Sequence, residues 1–328
     1  VGTRQISAEE MAAMSREIGS AILLRIRLND QISDEARDAA EKLSLAAKSV
    51  SESPDRLRKA IAGLRSSQLD GKLGAARTLL SGGNAAIAEL VAAAVSDPPP
   101  APRDEILRTM LRLGDGGQQS LTRLALYGTP AVRQRAMESL ARIDRAAAMP
   151  ELITALHAAD ASTAEKESAT AILQRMSRSV PSREATISAL ARELNRLRDV
   201  ARVTHNDGTV TTIWSIDENR TGVTSQSTLL ILSAYRDAVD MATRLRRIGG
   251  LAPRIEQSVL SADMAYRLMV DPDWGDPEQI QDVRATFGSL VSGSSLSSAI
   301  SAAAEKNDLP AMVGLIRMVD RDPSPVER

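Results

Sequence analysis

Four short segments of this chain recur at almost constant intervals. They are LGAARTLLSG from Leu73, ILRTMLRLGD from Ile106, RAMESLARID from Arg135 and SATAILQRMS from Ser168. Their last apolar anchors, Leu80, Leu113, Ile143 and Met176, stand 33, 30 and 33 residues apart. Each segment sets its apolar residues at helical intervals: Ile106, Met110 and Leu113 share one face, and Ala136, Leu140 and Ile143 share another. A second helical pattern precedes each of the last three, over Ala85–Ser96, Gln118–Leu126 and Pro150–Ala158. A helix pair repeated at this period cannot bury its apolar stripe alone and must lean on copies of itself. That requirement excludes most closed globular folds.

Breakers fall between the helices. Gly82-Gly83-Asn84, Asp97 to Pro100, Gly114 to Gly117 and Gly128-Thr129-Pro130 punctuate the run. Thr129-Pro130 places a capping residue before a proline at the first helical position, where the missing N–H costs nothing. The core is aliphatic. Aromatic residues make up 2% of the 328 residues, so alanine, leucine, isoleucine and methionine must fill the space between helices. Small and unbranched side chains of this kind favour closely packed helices.

The runs AVRQRAMESLARIDR, residues 131–145, and AMPELITALHAAD, residues 148–160, resemble the second and first helices of the HEAT-repeat family. The resemblance covers residues 69–177 most clearly and implies an armadillo-like α-solenoid, with repeats shorter than the family's usual length. Residues 1–68 read as three further helices: from the Ser7/Glu10 capping box to Leu28, from Ser33-Asp34 to Ser49, and from Pro54-Asp55 to Ser66. A helix from Ser182 to Val200 closes a first domain over residues 1–200.

The pattern then changes. Residues 203–216 are β-branched and alternating, with Asn206-Asp207-Gly208 as a turn signal and Asp217 to Gly222 as a second one. A small β-hairpin, or a three-stranded meander, is predicted near residues 203–225, an insertion spanning 201–226. Helices resume over Ser227–Arg247, Ala252–Met269, Pro277–Val291, Ser297–Lys306 and Pro310–Val319. This C-terminal domain, 227–328, is similar to uncharacterised bacterial HEAT-containing proteins, a likeness that implies architecture alone. The expected fold class is therefore all-α, an α-solenoid of helix pairs carrying one small hairpin.

Net charge is −1, so no global field draws nucleic acid or a membrane surface. There is no cysteine, which removes disulfides, thiolate metal sites and cysteine nucleophiles and fits any compartment, an extracytoplasmic one included if a signal segment was removed before Val1. No apolar run approaches a membrane span. The tail Asp322-Pro323-Ser324-Pro325 reads as a linker.

Chemistry-bearing motifs are sparse. The two histidines, His157 and His205, lack the partners of a metal site. Asp271, Asp273, Asp276 and Glu278 around Trp274 offer oxygen ligands, yet they miss the order of a calcium loop and suit a helix cap better. Gly114-Asp115-Gly116-Gly117 lacks both the preceding strand and the following Lys-Ser/Thr of a phosphate loop. The serine-rich stretch from Ser289 to Ser301 reads as a helix break around Gly293.

What remains is a binding surface. Arg103, Arg108, Arg112, Arg133, Arg135, Arg142 and Arg145 lie on the second helices, where they line a groove or simply space charge along a solvated face. Trp214 on the hairpin is a packing anchor first and a ligand platform second. The expectation is a non-enzymatic scaffold for a protein or peptide, without cofactor or metal, bound along the concave face of residues 55–200. Two alternatives stand beside it. One is a pocket near His205, Asp217, Glu218 and Arg220 serving a ligand or a reaction; the other is backbone binding of nucleic acid by arginines sharing one face.

Overall fold

The computed structural model describes residues 6–176, 179–291 and 293–320. The tail at Asp322–Pro325 lies outside them. The described residues form seventeen α-helices and one two-stranded antiparallel sheet. They divide into two compact units, one within Val1–Leu124 and Trp214–Ser225, the other within Ala125–Ile213 and Gln226–Arg328.

In the first unit, Ser7 and Glu10 close the expected capping box at the start of α1 (Ala8–Ile18). The single helix expected to reach Leu28 is broken at Gly19, whose φ of 87° ends α1 and opens α2 (Ser20–Leu28). Glycine takes this left-handed backbone without the Cβ clash that other residues meet. Ser33 caps α3 (Asp34–Ser51), and Pro54 opens α4 (Pro54–Gly63). Next come α5 (Leu69–Leu80), α6 (Gly83–Val95), α7 (Arg103–Leu111) and α8 (Gly116–Tyr127), which crosses into the second unit. Packing follows chain order: α4 on α5 and α6, α5 on α6, and α6 on α7. The alanine-rich α6 is the most buried of these, with Ile87, Leu90 and Val91 inside.

The second unit continues with α9 (Pro130–Ile143), α10 (Arg145–His157), α11 (Thr163–Met176) and α12 (Arg183–Val203). After the strands β1 (Val210–Ile216) and β2 (Val223–Leu229) come α13 (Leu230–Ile248), α14 (Pro253–Val270) and α15 (Pro277–Phe287). A 3-10 turn at Gly288–Val291 leads to α16 (Gly293–Glu305) and α17 (Leu309–Asp320). Here α10 packs on α9 and α11, α13 on α12 and α14, and α17 on α14 and α16.

The repeat has a sharper register than its sequence suggests. The fully buried repeat position, the buried column of the sequence alignment, is Leu79 and Met110 in the first unit and Leu140 and Leu173 in the second, each at 0% exposure. The residues four places earlier, Ala75, Ile106, Ala136 and Ala169, are buried as well. The expected anchors stand off this column: Leu80 is exposed, and Leu113, Ile143 and Met176 are half-buried. Side chains also bridge helices one repeat apart. Arg58 meets Glu89 at 3.2 Å, Lys72 meets Glu105 at 3.3 Å, and Arg133 meets Glu165 at 2.7 Å. Ser168 donates to Glu138 at 2.8 Å.

Two expectations about the sheet need correction. Asn206-Asp207-Gly208 is no hairpin turn, because α12 runs on to Val203 and leaves these residues in the loop before β1. The sheet therefore has two strands, not three. Its turn is Asp217–Gly222. The Asp217 N–H donates to the Gly222 carbonyl at 3.1 Å, and Asp217 Oδ1 accepts from the Thr221 N–H at 2.9 Å. The helix expected from Ser227 starts at Leu230, since β2 holds residues 223–229.

Candidate functional site

The arginines of the second helices fall into distinct environments. Seven residues before the buried column stand Lys72, Arg103, Arg133 and Lys166, a basic residue in every repeat. Two of these are turned back onto the protein. Arg103 donates from Nε to the Ala94 carbonyl at 2.9 Å and from Nη2 to the Ser96 carbonyl at 3.0 Å. It thereby satisfies acceptors at the C-terminal end of α6, where a cation also suits the helix dipole. Arg133 is buried. It donates to Glu165 through Nε and Nη2, to the Asp160 carbonyl at 3.0 Å, and to the Gly128 carbonyl just beyond α8. Neither presents its charge to a ligand. Arg135 is half-buried, while Arg108, Arg112, Arg142 and Arg145 are exposed.

Trp214 is 2% exposed. Its ring edge lies so close to Gly116 that a Cβ there would stand 3.0 Å from Trp214 Cζ2 and 2.9 Å from Ile87 Cδ1. The glycine-rich segment is thereby explained by packing. Gly114 turns the chain at φ 95°, Gly116 admits the indole, and a Cβ on Gly117 would meet Met110 Cγ at 2.2 Å.

Several of the remaining titratable candidates also have structural partners. His157, at the end of α10, sets Nε2 3.1 Å from the Pro181 carbonyl. His205 is exposed in the loop after α12. Asp217, Glu218 and Arg220 belong to the hairpin turn, where Arg220 takes a φ of 59°. Asp271 accepts from the Asp273 N–H and the Gln279 amide, and Asp276 makes a capping box with Gln279 at the start of α15. Among the described residues, no three His, Asp or Glu side chains gather as a metal set. Replacing Asp276 by alanine removes the acceptor for the Gln279 N–H and should cost about 1 kcal/mol of stability. A thermal melt checks this, and calcium added to the wild type should leave its midpoint unchanged.

The feature that stands out is apolar. On α5, Leu69 is 70%, Leu73 39% and Leu80 42% exposed, and on α7 Leu111 is 48% exposed. At 3.6 residues per turn, the three leucines of α5 fall within about 40° of arc, along roughly 16 Å of helix. The buried side of α5 is a different arc, made by Ala75, Ala76 and Leu79. Leu111 shares the solvent side of α7 with Arg108, and Arg77 flanks the leucines on α5. The Lys72–Glu105 bridge joins the first turns of the two helices. Both helices pack on α6. The exposed leucines of α5 thus form one stripe along that helix, and Leu111 is exposed on the helix one repeat further on. Sequence reading missed this stripe. The signal was present in a helix whose apolar arc is too wide for one buried side.

No family model, curated protein or solved structure matches the chain. No helix among the described residues is long and apolar enough to cross a membrane.

Proposed function

We propose that this chain is a non-enzymatic interaction scaffold built from HEAT-like helix pairs stacked as an α-solenoid, which binds a protein or peptide along the face made by its second helices. Within each unit helices pack on their chain neighbours, and the bridges between α4 and α6, α5 and α7, and α9 and α11 span 30–33 residues, one repeat each. A stack of near-identical units gives this pattern, because each unit meets its neighbour through equivalent positions.

The observation that carries the binding reading is the division of labour on the second helices. Arg103 and Arg133 are turned inward to hold helix ends, while Leu69, Leu73, Leu80 and Leu111 point outward. Scattered exposed leucines are ordinary, but an aligned set along one helix is a mark of an interface.

The test is capture from native extract with the intact chain, followed by amide hydrogen exchange on the complex. A stoichiometric protein partner that slows exchange in α5 and α7 supports the reading. No retained protein, or protection confined to residues 201–320, overturns it.

A further inference from the structure

One side of α12 carries Asn195, Arg198, Asp199 and Arg202, spaced i, i+3, i+4 and i+7 so that they share a face. The connection from α16 to α17, in the same compact unit, is seated on that face by three bonds. Lys306 Nζ donates to Asn195 Oδ1 at 3.3 Å, Arg202 donates to the Lys306 carbonyl, and Arg198 Nη2 meets Asp308 Oδ2 at 2.6 Å. Arginines take both carboxylates of the cluster: Asp308 holds the buried Arg198, and Asp199 holds Arg202. The Lys306 ammonium is left with a neutral amide for its partner, while its side chain stays accessible from solvent. Glu305, next in the chain, is exposed and makes no ion pair with it among the described residues. Lys72, by contrast, is bridged to Glu105. Three cations, Arg198, Arg202 and Lys306, thus stand against two carboxylates, and Tyr235 on α13 is the remaining titratable group of the cluster.

Two consequences follow from this setting. Partial burial, and after it the charge of Arg198, hold the Lys306 ammonium below the ordinary lysine pKa; Arg202 acts in the same direction, and Asp199 and Asp308 offset part of the effect. More of the amine is therefore neutral and nucleophilic at neutral pH than in a fully solvated lysine. The surplus cation also draws anionic reagents to the same place. We propose that Lys306 is a modification site, a lysine set between two arginines that takes an acyl group from an acyl phosphate. The Nζ lone pair attacks the acyl carbonyl carbon, and the bond from that carbon to the phosphate oxygen breaks. Phosphate leaves with the electron pair, and Nζ gives a proton to water. The product amide is uncharged and keeps an N–H for Asn195, so the cluster loses its surplus cation without losing that bond.

The probe is acetyl phosphate, added to the intact chain near neutral pH, with the initial rate at each lysine read by site-resolved mass spectrometry. The chain has six lysines, Lys42, Lys48, Lys59, Lys72, Lys166 and Lys306, of which Lys42, Lys48 and Lys59 are exposed and make no ion pair, so they serve as the reference within the same sample. Lys306 should be acetylated several times faster than these three. Arg202→Gln removes a neighbouring cation and should slow Lys306, whereas Asp199→Asn removes a carboxylate and should speed it. Both changes are at partly exposed positions, and unchanged rates at the reference lysines report that the chain is still folded. The advantage of Lys306 should shrink between about pH 7 and about pH 10, because the solvated lysines gain neutral amine over that range.

A rate at Lys306 no greater than at the three reference lysines overturns the proposal. So does a rate that neither substitution moves, or one that both move in the same direction, since a change of access alone has no reason to follow the sign of the charge removed. An advantage that stays constant as the pH rises assigns the preference to access and overturns it as well.

Discussion

Trp214→Ala should destabilise the protein by about 3–5 kcal/mol, the range for truncating a fully buried large aromatic residue. For a chain of this size that corresponds to a fall in thermal midpoint on the order of 10 °C. The reason lies in what surrounds the ring. The indole is one of few large side chains in an aliphatic core, and it is seated over Gly116 beside Ile87. Neighbours fixed on helices, Ile87 among them, cannot collapse into a hole of that size without moving backbone, so most of the cavity persists. Trp214→Phe should cost less, because a smaller ring still fills part of the site. Gly116→Ala should destabilise in the same direction by the opposite mechanism, driving a methyl group into the indole. Differential scanning calorimetry on the three variants measures all of this. An unchanged midpoint for Trp214→Ala would mean that the residue is a ligand platform and not an anchor.

How far the sequence foretold this molecule depends on the range of the interaction involved. Local signals read well. Ser7, Ser33 and Asp276 all cap helices through their side chains, as serine and aspartate before an apolar-periodic run should. Doublets read badly. In Thr78-Leu79-Leu80 the two leucines lie about 100° apart on the helix, and only the position of α6 decides which goes inside. The strand was placed too early because Val203 and Thr204 favour β-structure, yet the ladder of α12 extends to Val203 and Thr204 closes it by donating its N–H to the Val200 carbonyl. Propensity gave way there to the continuing hydrogen bonds of the helix.

The candidate site was less legible still. Arg103 and Arg133 looked like members of one solvated set, since a charge pattern does not reveal which side chain folds back. Their shared offset from the buried column was the available clue, and it required the correct column first. Leu80, one of the outward leucines of α5, reads as an apolar anchor from the sequence for the same reason. Pairs such as Arg244 with Glu151, 93 residues apart, or Arg198 with Asp308, 110 apart, leave no local trace at all.

Glu151→Ala should destabilise by a similar amount, about 3–5 kcal/mol, because it strands a buried guanidinium. Arg244 on α13 donates from Nε to Glu151 Oε1 on α10 at 2.9 Å, and its Nη2 reaches the same oxygen. Burial works against the Arg244 charge. The nearby carboxylates of Glu151 and Asp240, together with the Glu151 hydrogen bond, more than offset this and hold the group above its ordinary pKa. Asp240 in turn accepts from the Tyr127 hydroxyl at 2.8 Å, so α8, α10 and α13 meet in one polar cluster. Losing Glu151 leaves Arg244 with no good alternative, since a guanidinium cannot discharge itself at ordinary pH. The pair as a whole is a different matter. Two desolvated charges roughly cancel their own attraction, so Glu151→Leu combined with Arg244→Met should recover most of the stability that either single change loses. A double-mutant cycle by chemical denaturation separates the outcomes. If the double variant is as unstable as the sum of the singles, the two residues act independently, and the cluster does not join α10 to α13 in the way the geometry requires.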